Sequence, residues 1–247
     1  MSTSTKIEWT EQTWNPTTGC TKVSSGCKHC YAEKMAERLQ SMNAPGYDNG
    51  FSLSLMPERI TQPINRKKPT MYFVNSMSDL FHEDIPFDFL DKVFSTIKIT
   101  KQHTYQVLTK RAERMSEYFK TRDVPNNVWL GVTVEDKEFG LPRIRILQKI
   151  NAEIRFLSCE PLLEDLGIID ISGIHWVIAG GESGTNARPM EENWVLSLKN
   201  QCDRSGTAFF FKQWGAWGVD GIKRNKKANG RILLGQTWSQ YPIFHAV

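Results

Sequence analysis

The sequence has no long hydrophobic run: no stretch of its 247 residues approaches the roughly 20 apolar residues of a membrane-spanning helix. Its first residues, MSTSTKIEWTEQTWNP, contain no apolar segment like that of a secretory signal peptide. Disordered, collagen-like and low-complexity tracts are also absent from the sequence. These absences argue against a membrane or fibrous protein and predict a cytoplasmic, globular one.

Net charge and cysteine content are both low. The 31 basic residues exceed the 27 acidic ones by only 4, so the chain as a whole is not a polycation. With 40% hydrophobic residues it can bury a substantial core, and a length near 250 residues suits one (β/α) barrel. There are five cysteines, three of them clustered. In a cytoplasmic protein this pattern favours metal ligation over disulfides.

One order of segments recurs: a short apolar run, a polar cluster, then a helical stretch. Strands are predicted at MYFVN (71–75), TYQVLTKR (104–111), VWLGVTVE (128–135), EIRFLSCEP (153–161), IHWVIAGGESG (174–184) and AFFFKQWG (208–215). Helices are predicted at FDFLDKVFSTIKI, AERMSEYFK, LPRIRILQKI and MEENWVLSLKNQCDRSG. One or two earlier strands are predicted near Lys6–Trp9 and Leu53–Ile60. Strands that alternate with helices imply parallel pairing with right-handed crossovers.

This alternation predicts an α/β fold, a complete or partial (β/α) barrel of the TIM-barrel kind, with an open doubly wound sheet as the alternative. The barrel is favoured because polar residues end every strand and no G-x-G-x-x-G turn occurs. We expect a single domain over residues 1–247, with a barrel core at 1–214 and a cysteine loop at 19–31. Residues 215–247 are expected to form an extension over the barrel, in which two apolar runs could make a hairpin.

Polar and ionisable residues follow the predicted strands, at the barrel end where active sites lie. They include Asn75, Ser76, Asp79, Thr109, Lys110, Arg111, Thr133, Glu135, Ser158, Cys159, Glu160, Gly180, Gly181, Glu182, Ser183, Lys212, Gln213 and Trp214. A buried charge at a strand end needs a partner or a ligand. The candidate catalytic residues among them are Lys110, Arg111, Glu160 and Lys212. Cys159 and Cys202 are expected to be buried structural residues.

Four cations are predicted near the rim of the barrel where its strands end: Lys110, Arg111, Arg188 and Lys212. Such side chains bind a carboxylate, a phosphate or a nucleic-acid backbone. Trp214 lies beside Lys212, where an aromatic ring suits stacking on a base, whereas Trp217 is expected to cap the hydrophobic end of the barrel. We expect a positive funnel that binds a nucleotide or a nucleic-acid strand, unless Glu135, Glu160 and Glu182 neutralise the cations by pairing with them.

The clustered cysteines lie within eleven positions, in GCTKVSSGCKHCYAEKM (19–35), with the spacing C-x6-C-x2-C: Cys20, Cys27 and Cys30. Structural zinc takes four protein ligands, and His29 would complete a Cys3His set. Adjacent residues ligate one ion awkwardly, however, and no second C-x2-C occurs. A [4Fe–4S] cluster usually takes four thiolates, so three would leave one iron open to an exogenous ligand. The spacing therefore favours a reactive cluster over zinc.

The cysteine loop resembles that of radical S-adenosylmethionine (SAM) enzymes, whose usual pattern is C-x3-C-x-Φ-C. His29 stands in the Φ place, and the first gap is six residues instead of three. A wider likeness covers WTEQTWNPTTGCTKVSSGCKHCYAE, FVNSMSDLFHEDIP, VLTKRAERM, NVWLGVTVE, FLSCEPLL, VIAGGESG, ARPM and FFFKQWG. These stretches resemble a phage-associated family of poorly characterised three-Cys-motif proteins that are radical-SAM-like.

The resemblance implies a radical-SAM-type barrel in which Cys20, Cys27 and Cys30 hold a [4Fe–4S] cluster whose open iron chelates SAM. A reductant such as a flavodoxin or ferredoxin would then drive cleavage of SAM to methionine and a 5′-deoxyadenosyl radical, which abstracts a substrate hydrogen. His29 is expected near the adenine. Two segments compete to hold the polar end of SAM, namely Gly180, Gly181 and Glu182 after a late strand and Asn75, Ser76 and Asp79 after an earlier one.

Three functions follow from these features. The first is a radical SAM enzyme acting on an unknown substrate, with nucleotides or nucleic acids favoured by the cations. The second is a metal-stabilised module that binds nucleic acid or a partner protein without turnover. The third is a structural phage protein, which the convergent ionisable groups at six strand ends argue against, because a scaffold has no need to bury them.

Overall fold

The computed structural model describes residue 5 and residues 7–243, and within them the chain forms nine strands. These are β1 (Gln12–Trp14), β2 (Thr17–Thr18), β3 (Ser54–Leu55), β4 (Met71–Val74), β5 (Thr104–Thr109), β6 (Val128–Thr133), β7 (Ile154–Cys159), β8 (Trp176–Gly180) and β9 (Ala208–Gln213). Seven of them form one sheet in the order β1-β4-β5-β6-β7-β8-β9, with parallel pairing. The predicted α/β class is confirmed, and the barrel is a partial one.

Helices connect most of these strands. They are α1 (Tyr31–Ser41), α2 (Phe87–Ile99), α3 (Ala112–Phe119), α4 (Gly140–Gln148), α5 (Glu192–Ser205) and α6 (Lys226–Asn229). The four predicted helices correspond to α2, α3, α4 and α5. In α2, the buried residues Phe89, Leu90, Val93, Phe94 and Ile97 recur at the spacing of one helical face. Helix α5 ends at Gly206, whose φ of 69° fits the left-handed conformation that commonly follows a helix.

The chain divides into two compact units. Unit one comprises the residues up to Val23, Cys30–Gly131 and Ile150–Glu153, and unit two comprises Ser24–His29, Val132–Lys149 and the residues from Ile154 onward. Aromatic rings fill the core of each unit. In unit one, Tyr72 stacks on Tyr105 with ring centroids 5.5 Å apart. In unit two, Trp176 and Phe210 make an edge-to-face contact at 6.0 Å.

Of the two early strand predictions, the first is wrong in its placement, and the second contains a strand that lies outside the main sheet. Of the stretch near Lys6–Trp9, Lys6 lies outside the described residues, and Trp9 lies in a turn with its ring buried. The first strand begins instead at Gln12. Of the stretch near Leu53–Ile60, only β3 is extended, and it pairs antiparallel with β2, away from the main sheet. A short 3₁₀ turn begins at Pro57, where the proline ring fixes φ and removes an N–H donor.

The extension after β9 is helical and irregular where a hairpin was expected. Helix α6 occupies part of the basic run 223–227, whose residues are exposed. Further along, Phe211 N–H donates to the carbonyl of Trp238 at 3.0 Å, and Phe210 and Ser239 form an isolated antiparallel bridge. The last described segment therefore lies along β9. In the part of the chain that the structure describes, every helix is too short or too polar to cross a bilayer.

Candidate metal-binding site

The first part of the cysteine loop is held by Arg111, which lies two residues after the end of β5 in unit one. Its Nη1 lies 3.5 Å from Cys20 Sγ, and its Nη2 donates to the carbonyl and to Oγ1 of Thr21 at 3.2 and 2.7 Å. Its remaining donors reach two carboxylates, with Nε 2.7 Å from Glu83 Oε2 and Nη1 3.4 Å from Asp79 Oδ2. The Arg111 side chain is only 8% exposed. One buried guanidinium therefore fixes both the backbone and the side chains at the start of the loop.

Arg111 and the carboxylates beside it stabilise one another's charged forms. Burial opposes its positive charge, but the negative charge of Asp79, together with Cys20 and Glu83, outweighs burial and raises the pKa of Arg111. The hydrogen bond from Arg111 is the main cause that lowers the pKa of Glu83 to about 2. Asp79 also accepts from Thr109 Oγ1 at 2.7 Å and from the amide of Lys110 at 3.0 Å. Asp79 is thus hydrogen-bonded to residues at the end of β5.

The middle of the loop is held in unit two by two serine–carboxylate hydrogen bonds. Ser24 Oγ donates to Glu135 Oε1, and Ser25 Oγ donates to Asp136 Oδ2. Glu135 is fully buried and pairs with Arg143 at 2.7 Å, and Arg143 also donates to the carbonyl of Thr133 at 2.8 Å. Glu135 and Asp136 lie two and three residues after the end of β6, so the segment after that strand positions this part of the loop.

The same loop segment holds Cys27. The Cys27 amide donates to the carbonyl of Ser24 at 3.0 Å, and Cys27 Sγ lies 3.8 Å from Ser24 Oγ. The residue is half-buried, as is His29, which stands between Cys27 and Cys30. Cys27 is therefore placed by a short turn whose first residue is itself fixed by Glu135.

A second charged pair supports Ser25 from the end of β8. Glu182 receives three hydrogen bonds from Arg188, from Nε at 2.9 Å, from Nη2 at 2.7 Å and from the backbone amide at 2.8 Å. Burial tends to raise the pKa of Glu182, but the hydrogen bonds from Arg188 outweigh it and the pKa is lowered. Arg188 Nη2 also donates to the Ser25 carbonyl at 3.1 Å. Glu182 therefore acts on the loop through Arg188.

Cys30 lies at the amino end of α1 in unit one. It is the residue before the first helical turn, and its carbonyl accepts from the Lys34 amide at 3.5 Å. Its side chain packs against a small cluster formed by Ala32, Ala36, Tyr47 and Met77. The amino end of a helix favours negative charge, so this position suits a thiolate.

None of the five cysteines forms a disulfide, and the three in the loop are half-buried. Cys20 and Cys30 belong to unit one and Cys27 to unit two. Across residue 5 and residues 7–243, no three His, Cys, Asp or Glu side chains are grouped so as to hold a metal ion. The donor chemistry of the loop nevertheless fits an iron–sulfur cluster, because three thiols are what a cluster with one open iron takes.

The segment after β4 contains a buried acceptor that lacks a partner. Asn75 has a φ of 59°, unusual for a residue other than glycine, and is 3% exposed. Its Nδ2 donates to Thr17 Oγ1 at 2.7 Å, whereas its buried Oδ1 has no hydrogen-bond partner within the described residues. A buried unsatisfied acceptor is uncommon and costs about 1–3 kcal/mol. Ser76, by contrast, is engaged: its Oγ donates to Asn15 Oδ1 at 3.2 Å, and its carbonyl accepts from Tyr31.

The two glycines after β8 are explained by close packing. A Cβ at Gly181 would lie 2.0 Å from the carbonyl oxygen of Trp214, and one at Gly180 would lie 2.6 Å from Glu160 Oε1. The Glu160 carboxylate itself pairs with Lys212 Nζ at 3.1 Å, with both side chains mostly buried. The glycines therefore allow β8 to approach the residues that end β7 and β9.

Carboxylates pair with the predicted rim cations Arg111, Arg188 and Lys212. Arg111 pairs with Asp79 and Glu83, Arg188 with Glu182, and Lys212 with Glu160. Trp214 is 2% exposed, and its Nε1 donates to the carbonyl of Ile232 at 2.8 Å, so its ring is not open to a base. The partly buried Trp217 donates to the carbonyl of Ala187 at 2.7 Å.

The remaining two cysteines are buried in unit two, as predicted. Burial raises the pKa of the Cys159 thiol well above its ordinary value and raises that of Cys202 to about 12. Both thiols therefore stay protonated and unreactive at neutral pH.

Several residues that hold the loop were not predicted as site residues: Thr21, Ser24, Ser25, Glu83, Asp136 and Arg143. One of them carries a sequence signal. Arg143 lies on the buried face of α4 with Gly140, Ile144 and Leu147, and a charge on an apolar helical face needs a buried partner. The serines carry no comparable signal, because serine is common in any loop.

A family model matches residues 4–242 of the chain, nearly its whole length, and its description is "Protein of unknown function (DUF5131)". The chain belongs to the DUF5131 family. No curated protein matches the sequence significantly. The family membership agrees with the likeness to a poorly characterised family and assigns no activity to this DUF5131 protein.

Among solved structures, spore photoproduct lyase complexed with dinucleoside spore photoproduct has a TM-score of 0.48 and 11% identity to this chain. A mutant of that lyase with bound AdoMet and dinucleoside spore photoproduct gives the same values, and another mutant gives 0.49 and 10%. Each alignment covers 83% of this chain and 64% of the other. The chain thus spans less than two thirds of these proteins, and likenesses this distant assign it no chemistry.

Proposed function

We propose that this DUF5131 protein is an iron–sulfur enzyme of the radical SAM type, in which Cys20, Cys27 and Cys30 hold a [4Fe–4S] cluster. The observation that carries the proposal is the spacing of three thiols outside disulfides within eleven residues. A cluster held by three thiolates has one iron open to another ligand. The chemistry that such a group supplies when bound is the reductive cleavage of SAM followed by abstraction of a hydrogen atom from a substrate.

The charged residues around the loop suit this role, because their hydrogen bonds position its parts. Arg111 contacts the Cys20 thiol, and a neighbouring guanidinium favours the thiolate that ligates metals. Ser24, which precedes Cys27 by three residues, is fixed by the buried carboxylate of Glu135. Loop residues that are already ordered lose less conformational entropy when a ligand binds.

Asn75 is the proposed contact for the polar end of SAM. Its buried Oδ1 has no donor among residue 5 and residues 7–243, and the ammonium group of SAM carries three N–H donors of the kind that this atom needs. Glu182 is less suited to that contact, because three hydrogen bonds from Arg188 already occupy its carboxylate. Between the two segments that compete for this role, the arrangement favours the one after β4.

The substrate is proposed to be a phosphate-bearing nucleotide or nucleic acid. Glu160 and Lys212 are the proposed catalytic pair, since they touch at 3.1 Å and their side chains remain 14% and 20% exposed. A carboxylate and an ammonium in contact can take and return a proton. Lys110, whose backbone amide bonds Asp79, is the fourth rim cation.

The second candidate is a metal-stabilised binding module without turnover. It is favoured by the pairing of Arg111, Arg188 and Lys212 with carboxylates, since groups engaged in holding the fold leave fewer for chemistry. The two candidates differ in one property: an enzyme of the radical SAM type cleaves SAM, and a binding module does not.

Anaerobic reconstitution with iron and sulfide tests the proposal. The wild-type protein should contain about four irons and four sulfides per chain and absorb near 400 nm, as expected for a [4Fe–4S] cluster. The triple variant in which Cys20, Cys27 and Cys30 are replaced by Ala should contain neither. Cys202→Ala is the matched control and should load like wild type, because that thiol is buried and protonated.

A second measurement separates the two candidate functions. After reduction with dithionite, the reconstituted protein should release 5′-deoxyadenosine and methionine from SAM, and Asn75→Ala should raise the SAM concentration needed. A loaded cluster without SAM cleavage would leave the binding module as the function. Stoichiometric zinc without sulfide would refute the cluster itself.

A further inference from the structure

A cavity lies in unit one at the amino end of β4. Its volume is about 560 Å³, within the range of about 300–1,000 Å³ typical of small-molecule sites. Asn75, proposed to contact SAM, follows the carboxyl end of the same strand. A strand of four residues is roughly 13 Å long. However, Trp14 also lines the cavity, and its carbonyl accepts from the Asn75 amide at 2.8 Å, so the cavity and that segment are neighbours in unit one.

The charge of this cavity is positive. Three consecutive basic residues line it, Arg66, Lys67 and Lys68, and no acidic residue is among the described residues of its lining. Lys67 and Lys68 are exposed and form no ion pair within the described chain. Arg66 is only partly exposed, and its Nε donates to Thr70 Oγ1 at 2.5 Å. Three adjacent cations on a concave surface attract an anion.

Two buried aromatic residues also line the cavity. Trp14 and Tyr72 line it and are 1% and 2% exposed. Trp14 Nε1 donates to the carbonyl of Arg59 at 2.8 Å, and Tyr72 is stacked on Tyr105. Both rings are therefore held in place by contacts within unit one.

Two amide side chains complete the lining, those of Gln62 and Asn65. Both residues are exposed, and neither side chain is hydrogen-bonded to another described residue. A side-chain amide can donate and accept at once, as the edge of a nucleobase requires. The cavity thus combines groups for a phosphate with groups for a base.

We propose that this cavity binds a nucleotide unit, with its phosphate on Arg66, Lys67 and Lys68 and its base against Gln62 and Asn65. The same chemistry is found in a free nucleotide and in one unit of a single strand, and the experiment below distinguishes them. The binding needs neither cluster nor SAM. Its failure is therefore distinguishable from failure of the proposed enzymatic function.

The experiment uses the full chain without metal and the double variant Lys67→Glu/Lys68→Glu. The control is Lys226→Glu/Lys227→Glu on α6 in unit two, which changes charge equally at another exposed lysine pair. Binding of AMP, ATP, inorganic phosphate and a fluorescent single-stranded DNA oligomer is measured at low salt, with circular dichroism to verify folding. Wild type and control should bind alike, and Lys67→Glu/Lys68→Glu should bind about tenfold more weakly or worse.

The panel of ligands distinguishes a free nucleotide from a nucleotide unit in a single-stranded nucleic acid. If a strand is the natural ligand, oligomer affinity should fall with salt at a log–log slope of about −0.7 per phosphate contacted, and Lys67→Ala/Lys68→Ala should reduce that slope by about 1.4. If a free nucleotide is the ligand, ATP or AMP should bind at least as tightly as the oligomer. The proposal is overturned if neither nucleotide nor oligomer binds, if both charge-reversal variants bind equally, or if inorganic phosphate competes as well as AMP does.

Discussion

The buried pair of Glu135 and Arg143 offers a direct test of how the cysteine loop is held. Glu135 is fully buried, and the Arg143 side chain is 5% exposed, with 2.7 Å between the charged groups. The same carboxylate accepts from Ser24 in the loop. Arg143→Leu removes the cation and leaves a buried carboxylate without its counter-charge. This change should destabilise unit two and loosen the loop segment that carries Cys27.

Removing one partner of a buried ion pair costs about 3–5 kcal/mol. A chain of this size shifts its melting temperature by about 2–4 °C per kcal/mol, so Arg143→Leu should melt about 6–20 °C below wild type. The double variant Glu135→Gln/Arg143→Leu removes both charges, while its amide oxygen can still accept from Ser24. It should recover most of the loss, because a neutral buried pair avoids the cost of the isolated charge.

The assay is thermal unfolding of the metal-free protein, followed by hydrogen exchange of the peptide that contains Ser24 and Cys27. Arg143→Leu should speed exchange in that peptide, and the double variant should return it toward wild type. The reasoning fails if Arg143→Leu costs less than about 1 kcal/mol, the scale of an exposed pair. It also fails if the double variant is as unstable as the single one.

Three further changes test other parts of the site. Arg111→Gln should cost about 3–5 kcal/mol, because it leaves Asp79 buried without a counter-charge, and it should reduce iron uptake on reconstitution; unchanged uptake would show that Arg111 does not hold the loop. Gly181→Ala should lower the free energy of unfolding by at least about 1–3 kcal/mol, because its Cβ would lie 2.0 Å from the Trp214 carbonyl oxygen. A lower melting temperature is the measurement, and an unchanged one would contradict that close approach. The pKa of Glu182 is lowered below 4.5 in the folded protein, so its contribution to stability is present above pH 4.5 and is lost as pH falls through the folded value; Glu182→Gln should flatten the acid side of the stability–pH curve, and an unchanged curve would contradict the pairing.

Most of the main sheet was predictable, because β4 to β9 are apolar runs and helices separate most of them. Strands β4 to β9 each contain four to six residues, and α2 shows a clear helical repeat of apolar residues. The bounds of the short early strands could not be predicted, because β1 has three residues and β3 has two. A run of two or three residues has too little periodicity to indicate a strand.

The site was predictable only in its residue types. Cysteine spacing identifies the loop, and charge after an apolar run identifies the strand ends. Which charges pair is a property of the fold, and sequence separation conceals it: Arg111 contacts Cys20 across 91 positions, and Glu135 contacts Ser24 across 111. The rim cations were therefore predicted to be a substrate funnel, whereas Arg111 and Arg188 contact the cysteine loop and Lys212 pairs with Glu160.

The long first gap of the cysteine motif has a physical explanation in these contacts. Between Cys20 and Cys27 the chain has six residues, three more than the usual radical SAM spacing, and three of the six are Thr21, Ser24 and Ser25. Within unit one, Thr21 receives two hydrogen bonds from Arg111. Within unit two, Ser24 and Ser25 each donate to a carboxylate. A longer gap would ordinarily cost more entropy to order, but here the gap contains the residues that fix it, so the wider spacing is compatible with the metal-binding role proposed for the loop.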